Sequence, residues 1–499
     1  MAKGRSKKVV IIGAGLGGLS AAIRLLAAGY QVELYEKESL AGGRAQLIEQ
    51  DGYRFDIGPT LLMMTDVLEQ TFAVAGKNMG DYLELQQLDP NYRIAFADGS
   101  GMVLTSNLAE LTKELAAIDP AAPQQFHRFF AKLAMMYRLG RDRYIDKNFD
   151  SLFDFIDPVS GLNLLRHGGL RSLYGLVGSY FTDPRLRQAF SFQSMYLGVS
   201  PYDAPAIYAI IAYMETAGGI WYAKGGMHQV PRALAKLVGE MGGVIKLNAP
   251  VKRIVVESGR ATGIELESGK RVKADIVISN ADLSYTYNQL LTPLERPKMS
   301  DRRLSKLKQS YSAMLFYWGV NADVSNLEHH NVVFSQDYKA NFDQVFNQNV
   351  LPENPAFYTH VPTKTDPTVA PEGRHVVYTL VPVPNLTGKV DWAQAEKRLR
   401  QHVLTTLKQR FGVDLSRSIE TEVVFGPHDF KTKYNLPDGA AFGLTHTLGQ
   451  SGYFRPHNYV KGVSGLYLTG ASTYPGSGVP MVLLSGKLVA ERIMRDIKK

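Results

Sequence analysis

V-V-I-I-G-A-G-L-G-G-L-S-A-A, residues Val9 to Ala22, is the stretch on which the fold of this chain turns. Four β-branched residues, Val9 to Ile12, run without polar alternation, as in a strand buried on both faces of a parallel sheet. Gly13, Gly15 and Gly18 then spell G-x-G-x-x-G. The first glycine allows the tight turn, the second lets a pyrophosphate approach the backbone, and the third lets the next helix lie close to the strand. Leu16, Leu19, Ile23 and Leu26 share one helical face, and Gly29 stops the helix. Its N-terminus carries free N–H groups and about half a positive charge, which favours a phosphate there. Gln31 to Tyr35 reads as the second strand. Glu36 stands at its end, placed to accept from both ribose hydroxyls of an adenosine, with Lys37 next to it. An arginine there would point to a 2′-phosphate instead.

The chain has 499 residues, enough for two or three domains. It has no cysteine, which excludes disulfides, thiolate metal sites, a redox dithiol and a cysteine-tethered flavin. No metal site is expected. The net charge of +9 suits an anionic membrane surface, while no dense Lys/Arg tract or RNA-binding motif points to nucleic acid. The apolar run after the basic N-terminus is the glycine-rich strand and helix, so no secretory leader is expected. Ala204–Tyr213 and Ser312–Val320 are the longest apolar runs, and both are too short to span a bilayer.

Further along, Gly42-Gly43-Arg44 offers a second close backbone approach and a cation for phosphates; a surface turn with a solvated arginine explains it equally. Phe55 to Thr60, F-D-I-G-P-T, turns at Gly58-Pro59. Residues 108–198 read as mostly helical, with Phe126, Phe129, Phe130, Leu133 and Met136 as plain helical core. Leu164 to Phe181 interleaves apolar residues with Arg166, His167 and Arg171, as in a membrane-surface helix. A buried helix pair accounts for it as well. Gly218 to Met227, with a Gly-Gly pair on each side of Trp221 and Tyr222, suggests backbone packed on something flat, or a strand ending in turns. Val230 to Met241 and Trp392 to Phe411 read as helices. From Gly242 to Asn280 the pattern is strands separated by Ser-Gly turns. The tail returns to a strand, a second glycine loop and a helix, so distant pieces of chain assemble one cofactor domain.

Together, G-x-G-x-x-G with Glu36, Gly42-Gly43-Arg44, Asp56-Ile57-Gly58-Pro59-Thr60 and the closing G-A-S-T-Y-P-G-S-G-V-P-M (Gly470 to Met481) resemble the bacterial carotenoid desaturases of the flavin amine oxidase superfamily. The resemblance runs nearly the full length. It includes F-T-D-P-R-L-R-Q-A-F-S-F-Q from Phe181, K-T-D-P-T-V-A-P-E-G-R-H from Lys364 and the segment Ala440 to Asn458. Gly58 to Val67, Gly76 to Leu85 and His330 to Tyr338 look closest to the diapophytoene desaturases, which act on C30 chains. Tyr474 stands where the family's last glycine loop often carries histidine.

The resemblance implies an α/β protein: a discontinuous Rossmann-like FAD-binding domain, an inserted mixed-sheet substrate domain and a mainly helical subdomain. The expected division gives the FAD domain residues 1–70, 225–290 and 458–499. The substrate domain takes 71–106, 200–224 and 291–457, and the helical, membrane-contacting part takes 107–199. The implied activity is FAD-dependent introduction of C=C bonds into a C30 carotenoid precursor. A C40 phytoene desaturase, an oxygenase of carotenoid terminal methyls, an ordinary amine oxidase and a non-catalytic prenyl-lipid escort protein of the same fold are the alternatives. FAD would be held by Gly13, Gly15, Gly18, Glu36, Lys37, Gly43, Arg44, Pro59 and Thr60. Val251 would pair its backbone with adenine, and Gly470, Ala471, Gly478, Val479, Pro480 and Met481 would lie near the isoalloxazine. No proton acceptor is assigned. The expected partners are a hydrophobic polyene and membrane lipid, with the protein bound peripherally to the inner face of the cell membrane from the cytoplasm.

Overall fold

The structure, a computed structural model, describes residues 6–155 and 171–498. Its organising element is a five-stranded parallel sheet ordered Leu466–Leu468, Ile276–Ser279, Lys8–Ile12, Gln31–Tyr35, Val244–Lys246. The glycine-rich strand lies at its centre, and both of its faces are covered. Val9 and Ile11 pack into the core shared with the helices Leu16–Ala27, Gln229–Glu240 and Val479–Lys498. Val10 and Ile12 pack against the three-stranded antiparallel sheet Val251–Glu257, Arg260–Leu266, Arg271–Lys273. Burial on both sides is why this strand shows no polar alternation. Two of the five strands come from near residue 275 and from the last tenth of the chain, so the sheet is discontinuous in sequence.

The second sheet has seven strands, ordered Ile419–Phe425, Ser312–Val320, His375–Val383, Phe357–His360, His330–Val333, Tyr92–Ala95, Gly101–Leu104. All its pairings are antiparallel except that of His330–Val333 with Tyr92–Ala95. Phe316, Trp318 and Val320 on one face meet Leu399, Val403 and Leu407 of the Trp392–Phe411 helix. Ala313, Leu315 and Tyr317 on the other face meet Tyr53, Phe55 and Ile57 of a hairpin that grows from the first sheet's loops. The Ser312–Val320 run is therefore a strand sandwiched between two layers. Among the described residues no helix is long and apolar enough to cross a membrane.

Residues 108–155 and 171–218 form the helical part. Its longest helix, Ala122–Gly140, buries Phe126, Phe129, Leu133 and Met136. Two stretches with alternative readings are seen here: Gly218–Met227 takes the strand reading, and Leu164–Phe181 is described only in part. Gly218–Met227 is an edge strand, Ile220–Ala223, paired with Leu85–Leu88 and bridged to Leu62. Its second glycine pair lets the chain fold over Asp56, whose carboxylate accepts from the Met227 and His228 N–H groups. None of it lines the main cavity. Of the basic-apolar stretch, residues 164–170 lie outside the described residues. In the remainder Leu173, Leu176, Val177 and Phe181 point into the protein's own core, and Arg171 is exposed.

Candidate functional site

One cavity of about 920 Å³ runs from the first glycine loop to the helical part. It is lined by Gly13, Gly15, Glu36, Lys37, Gly43, Arg44, Pro59, Thr60, Val251, Gly470, Ala471 and Gly478 to Met481. These are the residues read from the sequence, brought together from five separate stretches of chain. Gly18 is the exception and does not line the cavity. A Cβ there would lie 2.4 Å from the Gly13 carbonyl oxygen, so its role is to let helix and strand touch. Gly15 and Gly42 form a parallel bridge, and Gly42 N–H donates to Ala14 O at 2.9 Å, so the two glycine segments are zipped side by side.

Glu36 is 5% exposed at the end of its strand. Its carboxylate accepts from Ala14 N–H at 2.8 Å and from Glu38 N–H at 3.0 Å. Burial raises its pKa above the usual carboxylate value, and those backbone donors oppose the rise. It is a partly dehydrated acceptor facing the cavity, suited to two hydroxyl donors. Arg44 is half-buried in the cavity wall and donates to Ala441 O at 3.3 Å. Burial lowers its pKa, with Asp282 the main opposing charge. No carboxylate lies within salt-bridge distance of it among the described residues, which leaves this cation suited to an anionic ligand.

The Leu16–Ala27 helix begins at Gly15 with no side-chain cap, so its first N–H groups face the cavity unclaimed. The Val479–Lys498 helix begins at the same cavity, after the glycine loop. Two helix N-termini, a cation and a buried carboxylate acceptor fit a dinucleotide cofactor, for which Glu36 would accept from the ribose, Gly13 to Gly15 and Arg44 would hold the pyrophosphate, and Val251 would lie beside adenine. When bound, FAD supplies a two-electron acceptor.

Past Thr60 the lining becomes apolar and aromatic, with Met136, Phe192, Ile207, Ile211, Met214 and Phe334 from the helical part and the sheet edge. Carboxylates on the cavity wall, Glu36, Glu38, Glu267 and Asp282, all sit on the cofactor side. Leu448 and Phe454 line the cavity and are 57% and 59% exposed, so the cavity opens there. The sequence reading missed the polar groups of this chamber. Tyr358 lines it and is held by Thr60 and His330. Tyr196, also lining it, donates to Tyr92, which donates to the buried Glu215. Burial pushes Glu215 up to about 7 against the pull of Tyr92, Gln193 and Tyr196. His329, His330 and His360 form a buried cluster behind Tyr358. Only the adjacent pair His329-His330 was visible in sequence; strand pairing supplies the third ring.

Residues 16–494 match the flavin containing amine oxidoreductase family. The chain is 40% identical to a zeta-carotene-forming phytoene desaturase of Myxococcus xanthus, over 98% of this chain and 94% of that protein. It is 34% identical to a 4,4′-diapophytoene desaturase of Staphylococcus haemolyticus, over 98% and 99%. Putrescine oxidase shares the fold at a TM-score of 0.65 and 17% identity, over 98% of this chain and 99% of that one. With its cradle for a dinucleotide and its relatives of near-equal length, the chain is a FAD-dependent oxidoreductase and belongs to the carotenoid desaturases of the flavin-containing amine oxidoreductase family.

Proposed function

We propose that this protein introduces C=C bonds into a linear C30 carotenoid precursor of the diapophytoene type. The observation that carries the reading is the continuity of the cavity: the cofactor cradle opens directly into a chamber lined by apolar and aromatic side chains. The absence of a carboxylate from the chamber side among the described residues speaks against an amine substrate, since nothing there would balance an ammonium. The three stretches at Gly58, Gly76 and His330 support the C30 length. The 40% identity to a phytoene desaturase favours a C40 substrate as a second reading.

This chain's residues contribute placement. Glu36 and Arg44 anchor the cofactor, the apolar walls strip water from the polyene, and the hydrocarbon is oriented along the chamber. Such a substrate resides in a bilayer, because each buried CH₂ favours transfer from water by about 0.8 kcal/mol. We place membrane contact at the mouth formed by Leu448 and Phe454. Phe153, 88% exposed, lies two residues before Phe155 of the cavity wall. Co-expression with a C30 or a C40 precursor pathway, followed by pigment analysis, tests the reading. Coloured C30 products support it, coloured C40 products alone select the second reading, and colour from neither overturns both.

A further inference from the structure

Removing two hydrogens from a –CH₂–CH₂– unit breaks two C–H bonds and makes one π bond. One hydrogen leaves with its electron pair, which bound FAD accepts; the other leaves as a proton. On the desaturase reading, the chamber must therefore contain a proton acceptor, and the proton needs a route out of a water-poor site.

Tyr358 is the hydroxyl placed for this. It lies on the Phe357–His360 strand and lines the chamber. Its oxygen is 2.8 Å from Thr60 Oγ1 and 2.6 Å from His330 Nδ1. When Thr60 donates to Tyr358 and Tyr358 donates to His330, one lone pair of the phenol stays open to the chamber. Behind it the chain of groups continues. His330 and His360 are register partners on neighbouring strands, with rings stacked at 5.2 Å. His330 Nε2 is buried with no hydrogen-bond partner. One ring nitrogen from each of His329, His330 and His360 lies within 4.8 Å of the other two, a span that one water bridges. His360 Nε2 and His329 Nε2 are 2.9 Å apart, and His329 Nδ1 is 2.6 Å from Oγ1 of the partly exposed Thr365.

We infer that Tyr358 takes the proton leaving the substrate and that His330, His360 and His329 carry it from the chamber to the surface at Thr365. As the second C–H bond breaks, its electron pair becomes the π bond. The proton adds to the Tyr358 oxygen, the phenolic proton moves to His330 Nδ1, and His330 releases its Nε2 proton toward His360. A weak base suffices, because the neighbouring carbon has already lost hydride and the resulting cation is a strong carbon acid. Burial, then the two adjacent imidazoles, hold His330 well below its ordinary pKa. Burial does the same to His360 and takes His329 down to about 3. All three rings are thus neutral, each with one donor and one acceptor, as transfer along the row requires. Asp366, next to the surface end, is the charge that raises His329 against its burial.

The same rings could in principle ligate a cation. Against this, His329 and His360 already face each other as donor and acceptor, and His330 Nδ1 is taken by Tyr358. Asp366 is committed to Gly225 N–H and to the Thr368 N–H and hydroxyl. A divalent ion there would bring two uncompensated charges into a dry site.

The test uses the FAD-loaded enzyme with the polyene that the wild type converts, and the variants Tyr358→Phe and His330→Asn. Asparagine can accept from Tyr358 but cannot pass a proton on. Both variants should keep wild-type FAD content and substrate affinity and lose about 100-fold or more in kcat. The solvent deuterium isotope effect of the wild type should vanish in Tyr358→Phe. An independent readout is ¹⁵N-histidine NMR of the apoprotein, where the His330 Nδ1 resonance should move in Tyr358→Phe as its donor is lost. Wild-type turnover in either variant, loss of FAD from both, or an unchanged His330 resonance overturns the relay. So does stoichiometric metal in the wild type that His330→Asn lacks. A wild type that converts no polyene overturns the desaturase reading itself; variants that fail while the wild type works bear only on the relay.

Discussion

Glu36 shows how one residue trades stability against ligand affinity. Its carboxylate is dehydrated by burial and half-satisfied by two backbone donors, so it gains from a ligand that offers hydroxyls. Each charge-assisted bond contributes about 1.5–3 kcal/mol. Glu36→Arg should therefore weaken FAD binding at least 100-fold by flavin-quenching titration, and unchanged affinity would remove the ribose assignment. Glu215 gives a pH signature. Its pKa is raised from 4.5 to about 7 by burial, so the folded protein holds a proton that the unfolded chain releases in that window. Its contribution to stability should then fall as pH rises from about 4.5 to 7 and level off above, by about 3 kcal/mol at most, while the histidines buried neutral contribute in the opposite sense below about pH 6.5. Glu215→Gln should remove that contribution, so that its stability relative to the wild type rises between pH 5 and 7 and it is the more stable protein at pH 8 in urea titrations. The Gln193 amide, whose oxygen lacks a partner, can turn to meet the new NH₂. A stability difference between the wild type and Glu215→Gln that stays constant between pH 5 and 7 would contradict this.

At the level of elements, the Val479–Lys498 helix matters chiefly for where it starts. Gly478 has φ +107°, a conformation that side chains rarely adopt, yet a Cβ there meets no protein atom within 4 Å. The room in front of it is the cavity. Gly478→Val should cost about 1–3 kcal/mol in strained backbone, remain soluble, and lose pigment formation because its methyls enter the cofactor space. A soluble variant with full FAD content and activity would move the isoalloxazine elsewhere. Elements whose signal is local were readable from sequence. Trp392–Phe411 and Gln31–Tyr35 lie where their periodicity puts them, and Gln229–Glu240 is displaced by one residue. The glycine loops and Glu36 were readable because the dinucleotide cradle depends on backbone geometry fixed by neighbouring residues. Tyr358, His330 and His360 were not, since they meet only through antiparallel register between strands thirty residues apart. Glu215 was opaque for a related reason: Tyr92 reaches it across more than a hundred residues of chain.

The molecule as a whole carries +9 and opens its cavity beside exposed Leu448, Phe454 and Phe153. Such a surface should bind anionic liposomes peripherally. High salt should weaken the attachment without abolishing it, because inserted apolar side chains are not screened. Phe153→Asp combined with Phe454→Asp should shift the protein from the floating to the soluble fraction. Wild-type protein that stays soluble at low salt would remove the membrane proposal. Equal flotation of the double variant would place the attachment elsewhere, with the exposed Arg171 region the next to be tested.

The interleaved order of the parallel sheet also sets a timetable. Lys8–Ile12 and Gln31–Tyr35 are made before the other strands of this sheet, and an outer strand, Leu466–Leu468, and the helix that completes the cradle are made after them. Domains generally fold as units during synthesis, N-terminal pieces first. Here the first piece cannot finish alone. The nascent chain holds a half-built nucleotide site until residues 466–481 have emerged, so ribosome-bound chains ending before Leu466 should retain no flavin.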